Sequence, residues 1–422
     1  MAANRREAIS YDGSVNLNGD SRLLFFTRFV RLFAYGALSV VLVLYLTNSG
    51  LSEAQTGLLL TLTLAGDTCI SLMLTTQADR IGRRRSLVAG AFLMIMAGLA
   101  FAATNNFAIL VFAGTLGVIS PSGNEVGPFL PIEQAGLSET TEDKNRTQVL
   151  AWYTLAGAFA TAMGSLFGGV IPGMLQRAAV NPLESYRWIV YLYAALGIVL
   201  LFAFTRLSPD IEVQSSQAAV PARTAAFLGV RQSRTVVLRL SALFGLDSFG
   251  GGFVTQSLAA YWFYLKFKID PSSLGAIFFG ANLLAGGSAL IAARLAARFG
   301  LVRTMVFTHL PSNVLLILVP LMPTLTLAIV VLLIRFSISQ MDVPARQSYI
   351  MAVVQPQERS AAAGITGVAR TVGAAFAPVF AGMMFSSAAW ISVPFFIAGG
   401  LKIAYDLLLY RGFVAHPLAE EG

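Results

Sequence analysis

The octapeptide Ala78-Asp79-Arg80-Ile81-Gly82-Arg83-Arg84-Arg85 interrupts a long apolar region of the sequence. Residues 57–76 before it and residues 87–103 after it are almost entirely apolar. Each run is close to the ~20 residues that an α-helix needs to cross the core of a bilayer. The break is too short to form a domain, so it predicts a tight turn at Gly82 between two membrane-spanning helices. Its four arginines are typical of a cytoplasmic loop, because Lys and Arg resist translocation.

A second copy of this turn lies about half the chain later. Residues 296–304, Ala-Ala-Arg-Phe-Gly-Leu-Val-Arg-Thr, align on residues 78–86 without a gap, with Ala297 in the place of Asp79. The copy retains the glycine of the turn and two of its arginines, as Arg298, Gly300 and Arg303. The repeat indicates two related halves.

The composition excludes most classes of soluble protein. Of the 422 residues, 56% are hydrophobic and only 12% are charged, whereas soluble domains have about 25% charged residues. The net charge of +8 follows from arginines in loops on one side of a membrane, so we expect no nucleic-acid partner. One cysteine and two histidines, with no phosphate-binding Gly-Lys-Ser/Thr loop, predict no enzyme, no ATP-driven pump, no metal site and no cofactor.

The apolar runs predict an all-α polytopic membrane protein with twelve spans in two six-helix bundles. The predicted spans are 22–47, 54–76, 86–103, 107–131, 147–173 and 186–205, then 236–265, 271–293, 303–322, 325–349, 360–386 and 389–410. They divide the chain into an N-terminal tail (1–21), a first bundle (22–207), a polar linker (208–234), a second bundle (235–411) and a C-terminal tail (412–422). The arginine-rich loops place both termini in the cytoplasm, with the plasma or inner membrane as the expected location.

Three motifs in this context resemble the major facilitator superfamily of secondary transporters. Residues 79–84 look like the family's Asp-Arg-x-Gly-Arg-Arg/Lys loop between spans two and three, and residues 298–303 look like its weaker echo between spans eight and nine. Residues 164–169 look like the family's fifth-span Gly-Pro-x-x-Gly-Gly pattern, with Ser165 where proline is usual. Small residues at this spacing allow close helix packing in a bilayer; the predicted packing residues are Gly164, Gly168, Gly169, Pro378 and Gly382.

The resemblance implies alternating access, in which two bundles rock around a central site lined mainly by spans one, four, seven and ten. It also implies a cytoplasmic latch between the bundles, formed by the two loops. The predicted latch residues are Asp79, Arg80, Gly82, Arg83, Arg84, Arg298, Gly300 and Arg303.

Ionisable residues inside the spans are the main functional candidates, because insertion of each costs at least ~2.5–3.5 kcal/mol. The candidate solute- and proton-binding set is Arg28, Arg31, Asp67, Asn124, Glu125, Asp247, Arg335, Asp342, Arg346 and Arg370. Glu125 and Asp342 occupy related positions in the two halves, and we expect Arg346 to pair with Asp342 at i,i+4. Ion pairs that lock the helices are the alternative role for both acids. Arg28 and Arg31 could instead extend to the headgroups.

Two further expectations concern span seven and span twelve. Three consecutive glycines, residues 250–252, weaken the helix beside Asp247 and predict a binding or gating element there, with close packing as the alternative. Lys402 and Asp406 are spaced to neutralise each other on one helix face.

The sequence therefore predicts a monomeric secondary transporter whose partners are the lipid bilayer, a small organic solute and protons, with antiport or efflux favoured. Two alternatives stay open: a uniporter or importer of an anionic or metal-chelate solute that uses Arg28, Arg335 and Arg370, and a non-transporting receptor or scaffold.

Overall fold

The computed structural model describes residues 18–212 and 230–414, and every regular element in these residues is helical. The first half contains α1 (Gly19–Asn48), α2 (Glu53–Ile81), α3 (Arg83–Ala103), α4 (Phe107–Leu116), α5 (Phe129–Glu139), α6 (Asp143–Arg177) and α7 (Pro182–Thr205). The second half contains α8 (Arg234–Gly252), α9 (Gln256–Phe267), α10 (Pro271–Phe299), α11 (Leu301–Leu318), α12 (Leu325–Phe336), α13 (Asp342–Val353), α14 (Arg359–Phe385) and α15 (Val393–Phe413). The two predicted tails and the linker lie wholly or largely outside the described residues.

The predicted fold class is confirmed. In the described residues, ten helical segments are long and apolar enough to cross a membrane, and α4 and α12 are shorter apolar helices. Both predicted turns are present: Gly82 and Gly300 have φ angles of 108° and 85°, and each separates two long helices. Positive φ is accessible to glycine without the steric cost that a Cβ atom brings.

Spans four, seven and ten differ from the prediction, which made them continuous over 107–131, 236–265 and 325–349. The α4 helix ends at Leu116 and α5 begins only at Phe129, because Gly123 and Gly127 have φ angles of 72° and 80° and Pro128 has no N–H to donate. In the second half, a turn over residues 337–341 separates α12 from α13. Related spans of both halves are therefore discontinuous.

The two halves pack most tightly at one end of the molecule. An ideal Cβ atom on Gly57 of α2 would lie 2.4 Å from the Pro378 carbonyl oxygen of α14, and one on Gly382 would lie 2.4 Å from the Glu53 carbonyl oxygen. On the other side of the molecule, a Cβ atom on Gly169 of α6 would lie 2.2 Å from the Pro271 carbonyl oxygen at the start of α10. Both contacts lie at the same end of the molecule, which we call the closed end.

The helices separate towards the opposite end, where residues 80–85 and 298–303 lie; we call this the arginine-rich end. In α14, a Cβ atom on Gly364 or Gly367 would meet no atom within 4 Å. Hydrogen bonds between the halves lie nearer the closed end: Tyr261 donates to Glu53 over 2.9 Å, and the Val379 amide donates to Thr61 Oγ1 over 3.0 Å. The structure is thus wedge-shaped, open towards the arginine-rich end.

Candidate functional site

A buried ion-pair cluster occupies the centre of the first half. Arg31 of α1 donates from Nη1 and Nη2 to the two carboxylate oxygens of Glu133, over 2.7 and 2.6 Å, and both side chains have no exposed surface. Thr27 and Tyr153 donate to the same carboxylate. Glu133 belongs to α5, although the sequence prediction had placed it at the start of a cytoplasmic loop. It therefore escaped the candidate set.

The break in span four brings Glu125 into this cluster. Glu125 accepts from Arg28 over 3.0 Å and from Arg31 Nε over 2.7 Å, so its carboxylate bridges two arginines of one helix. Arg28 also lies 4.4 Å from the centre of the Tyr153 ring. Both arginines are buried. The alternative in which they extend to the headgroups is therefore wrong, because buried carboxylates hold them inside the bundle.

Asp67 of α2 lies beside the same break but has a different environment. It is 8% exposed, its carboxylate accepts from Ser71 over 3.5 Å, and the Gly127 amide acts on it electrostatically. Among the described residues, no cationic side chain pairs with it. Asn124 is exposed in the break and does not join the acids of the cluster.

The second half contains a separate cluster around Asp247 of α8. Lys402 Nζ lies 2.6 Å from Asp247 Oδ1, Arg346 Nη1 lies 3.4 Å from Oδ2, and His309 Nε2 lies 3.7 Å from Oδ1. Arg346 also forms the expected i,i+4 pair with Asp342, at 3.1 Å. The cluster thus joins α8, α11, α13 and α15.

The expected pairing of Lys402 with Asp406 is wrong. Asp406 instead accepts hydrogen bonds from the side chains of α11, with 2.9 Å to His309 Nδ1 and 2.9 Å to Asn313 Nδ2. Lys402 turns to Asp247 because that carboxylate lies on the facing helix. His309 and Asn313 were missed, since a single histidine in an apolar span carries no sequence signal for its partner.

Arg370 of α14 and Arg335 of α12 are the remaining candidates of the second half. Neither forms a hydrogen bond or ion pair with another described side chain, and the Nε atom of each is buried without a hydrogen-bond partner. Arg335 only lies over the ring of the adjacent Phe336, at 4.9 Å. Arg370 thus forms no ion pair with Asp342 or Asp247 in this conformation.

The turn of the first half packs within its own half. The backbone amides of Arg83 and Arg84 donate to Glu212 over 2.7 and 3.1 Å, and the Arg84 guanidinium donates to the Thr205 carbonyl over 2.6 Å. Arg80, Arg298 and Arg303 are exposed at the arginine-rich end. The Asp79 side chain lies outside the described part of the structure, so its predicted latch role stays a prediction.

The candidate packing glycines of α6 lie against α1. Ideal Cβ atoms on Gly164 and Gly168 would lie 2.1 and 2.2 Å from the carbonyl oxygens of Phe33 and Ala37. A larger residue at either position would force the two helices apart. The packing brings the Tyr153 side of α6 close enough to α1 to complete the Arg31 cluster.

A polar group that the sequence analysis missed joins the two halves. Gln256, at the start of α9, donates from Nε2 to Ser39 over 2.8 Å and to Ser165 over 2.9 Å, and Asn282 donates to Ser165 over 3.1 Å. The Ser257 amide donates to the Pro121 carbonyl over 3.0 Å. Residues 253–255 interrupt span seven between α8 and α9, and this break meets the break in span four.

The arrangement can accept a small polar molecule between the two bundles. Charged side chains of both halves lie beside a wedge that opens at one end, and the described residues include no group of three potential metal ligands. Such a site can bind a solute, exchange a proton, and change its exposure when the bundles tilt.

Comparison with known proteins agrees with this arrangement. The family model of the Major Facilitator Superfamily matches residues 24–265 and 240–421. The chain is 30% identical to the uncharacterized membrane protein YJR124C of Saccharomyces cerevisiae over 418 residues, which are 92% of this chain and 93% of the relative.

Solved structures give the same fold. A bacterial homologue of the human lysosomal transporter Spinster, in an inward-facing and occupied conformation, has a TM-score of 0.72 at 16% identity, over 93% of this chain and 97% of that chain. A D-xylose–proton symporter has a TM-score of 0.71 at 13% identity, over 93% and 97% of the two chains. The chain belongs to the major facilitator superfamily of secondary transporters.

Proposed function

We propose that this transporter moves a small organic solute by alternating access and couples that movement to protons, with Asp67 as the proton-binding residue. The observation that carries the proposal is the burial of Asp67 without a cationic partner in the described residues. Glu125 and Asp342, the two acids first favoured by the sequence, are each paired with arginine. Their carboxylates are held in ion pairs with arginine, whereas that of Asp67 is not.

The surroundings of Asp67 support proton exchange at this residue. It lies on the face of α2 that carries the fully buried Leu60 and Thr63, opposite the exposed Leu58 and Met73. A lone carboxylate in such a place is costly as an anion, and protonation removes most of that cost. The charge that acts on it from span four is also negative, that of Glu125.

Asp67 can pass its charge state to the rest of the site through the break in span four. The Gly127 amide acts electrostatically on the Asp67 carboxylate, and Glu125, two residues earlier, bridges Arg28 and Arg31. The rings of Tyr35 and Tyr193 stack beside this segment, and both phenols interact electrostatically with Asp67. Loss of the proton strengthens the attraction of the Gly127 amide and the repulsion of Glu125, so the break shifts with protonation.

The first experiment measures the proton directly, without a known solute. Infrared difference spectra of the purified protein between acidic and alkaline buffer should contain the carbonyl band of a buried carboxylic acid. We expect Asp67→Asn to remove the band and the matched control Asp342→Asn to leave it in place. An unchanged band in Asp67→Asn would refute the assignment.

The second experiment measures coupling. Proteoliposomes with the pH dye pyranine inside are exposed to a panel of sugars, nucleosides, amino acids and organic acids. A solute that is carried with protons changes the internal pH in wild type, and Asp67→Asn abolishes the change. The fifth-span pattern makes antiport the expected mode. Antiport makes the lumen alkaline when the added solute enters, whereas symport makes it acidic.

We also propose that the arginine-rich end faces the cytoplasm, as the distribution of arginines favours. Single cysteines replace Arg298 at the arginine-rich end and Ser387 at the closed end, in a Cys69→Ser background. A membrane-impermeant maleimide should label intact cells at position 387 only. Labelling at position 298 in intact cells would reverse the orientation.

A further inference from the structure

The two clusters do not balance their charges in the same way. In the second half, four cationic side chains face three acids, in addition to His309: Arg335, Arg346, Arg370 and Lys402 face Asp247, Asp342 and Asp406. In the first half, two arginines face three acids, of which Asp67 has no cationic partner. The second half thus has more cations than acids, and two of these cations, Arg335 and Arg370, have no carboxylate partner among the described residues.

Arg370 points into the molecule. The exposed apolar side chains of α14 include Val372, Phe376 and Met383, which form one stripe along the helix. At 100° per residue, Arg370 lies on the opposite side, in line with Gly367 and the fully buried Ala381. It is the twelfth residue of α14, so it lies roughly 16 Å from the start of the helix. That depth is too great for a guanidinium to extend to the headgroups.

Arg335 approaches the same region from α12. It lies near the buried Ala328 and Leu332 on its helix, away from the exposed Leu327 and Ile334. Both Arg335 and Arg370 interact electrostatically with Asp247, although neither forms a hydrogen bond with it. Two unpaired guanidinium groups therefore lie on different helices around one cluster.

Open space adjoins Arg370 on the side that faces the wedge. Gly367 and Gly364, one and two turns before it, have nothing within 4 Å of the position of a Cβ atom. A molecule that enters from the arginine-rich end can therefore reach Arg370 along α14. The glycines leave room for a ligand where any other side chain would narrow the path.

We propose that the transported solute carries an oxyanion, a carboxylate or a phosphate ester, that binds Arg370 with Arg335 as a second contact. A guanidinium at this depth needs an anionic partner, and its planar fork of N–H donors matches both groups. The acids of the cluster already bind Lys402, Arg346 and His309, so the partner comes from outside the chain. The inference rests on the proposed transport function, but it does not depend on Asp67 as the proton site.

The test is thermal stabilisation of the purified full-length chain at constant pH and ionic strength. Each anionic probe is compared with a neutral analogue, so that an effect of charge can be distinguished from an effect of shape. The pairs are succinate and succinamide, benzoate and benzamide, and glycerol 3-phosphate and glycerol. A ligand that binds the folded state raises the melting temperature with its concentration. We expect at least one anion to stabilise the wild type and its neutral partner to have no effect; the carboxylate and phosphate arms identify the class.

Substitutions test whether the stabilising anion binds at Arg370. Arg370→Gln should weaken the stabilising anion about ten- to a hundredfold, the loss that removal of a charged hydrogen bond brings. Arg370→Lys should restore part of it and guards against misfolding, and the exposed Arg411→Gln should bind as wild type. Equal stabilisation by the neutral probes, no stabilisation by any anion, or unchanged binding in Arg370→Gln would each overturn the proposal. Failure of the infrared experiment on Asp67 would leave this result standing.

Discussion

The polar cores of the two halves occupy related places but are built in opposite senses. In the first half, Arg31 is fully enclosed by Glu125 and Glu133, and the unpaired group is an acid, Asp67. In the second half, the acid Asp247 is enclosed by cations, and the unpaired groups are two arginines, Arg335 and Arg370. Each half therefore has a structural ion-pair centre, and the unpaired groups beside the two centres have opposite charge. The paired charges hold helices together, whereas the unpaired charges are the ones that we propose to bind a proton or a solute.

The breaks in the helices also differ between the two halves. The break in span four covers residues 117–128 and places Glu125 and Gly127 against α1 and α2, whereas the turn of residues 337–341 in span ten is shorter. A long break allows its backbone amides to act on a carboxylate. In the second half, helix side chains supply the partners instead, among them Arg346 of α13 and Lys402 of α15.

The largest effect should come from the centre of the first half. Arg31→Met leaves Glu133 buried without a cation, which costs about 3–5 kcal/mol. We expect loss of folded protein in fluorescence-detected size exclusion, or a strongly lowered melting temperature. Arg31→Met combined with Glu133→Gln should recover much of the stability, because Glu125 keeps Arg28 as its partner. If Arg31→Met alone were as stable as wild type, the cluster would not be the centre of this half.

The next effect should come from the closed end, where the two halves approach each other most closely. Gly57→Ala places a Cβ atom 2.4 Å from the Pro378 carbonyl oxygen, and such overpacking costs about 1–3 kcal/mol. The same change at Gly364, where nothing lies within 4 Å, should leave stability equal or higher, because alanine favours a helix. Melting temperatures of the pair give the comparison. Equal losses at both positions would contradict the wedge shape.

A smaller effect separates the structure from the sequence prediction in the second half. Double-mutant cycles measure coupling between Lys402→Met and Asp247→Asn, and between Lys402→Met and Asp406→Asn. We expect a coupling of about 0.5–3 kcal/mol in the first cycle, since the two groups are 2.6 Å apart, and less in the second. A larger coupling with Asp406 would restore the intrahelical pair that spacing alone predicted.

Some features of this structure can be predicted from the sequence, and others cannot. The twelve apolar runs and the repeated turn at Gly82 and Gly300 predicted the fold, because span length and loop charge are local properties that a bilayer constrains directly. The pair of Arg346 with Asp342 was also predicted, since i,i+4 neighbours are set by one helix. Partners across helices were not: Glu133, His309 and Asn313 acquire their roles only when distant spans come together. The break in span four escaped because apolar content does not reveal positive φ angles.

The smallest effect concerns the helix starts at the arginine-rich end, where both halves use a glutamate. Glu358 accepts from the backbone amides of residues 231–233 at the start of α8, whereas Glu212 accepts from only two amides, at the start of α3. A charge at a helix N-terminus contributes about 0.3–1 kcal/mol, and salt screens it. Glu358→Gln should therefore lower the melting temperature more than Glu212→Gln, and high salt should reduce both effects. If Glu212→Gln lowered the melting temperature more than Glu358→Gln, the segment after α7 would stabilise the first half more than its hydrogen bonds to Arg83 and Arg84 indicate. In that case the turn of residues 78–85 acts within the first half. A latch between the halves would then have to come from the second copy of the turn, residues 296–304.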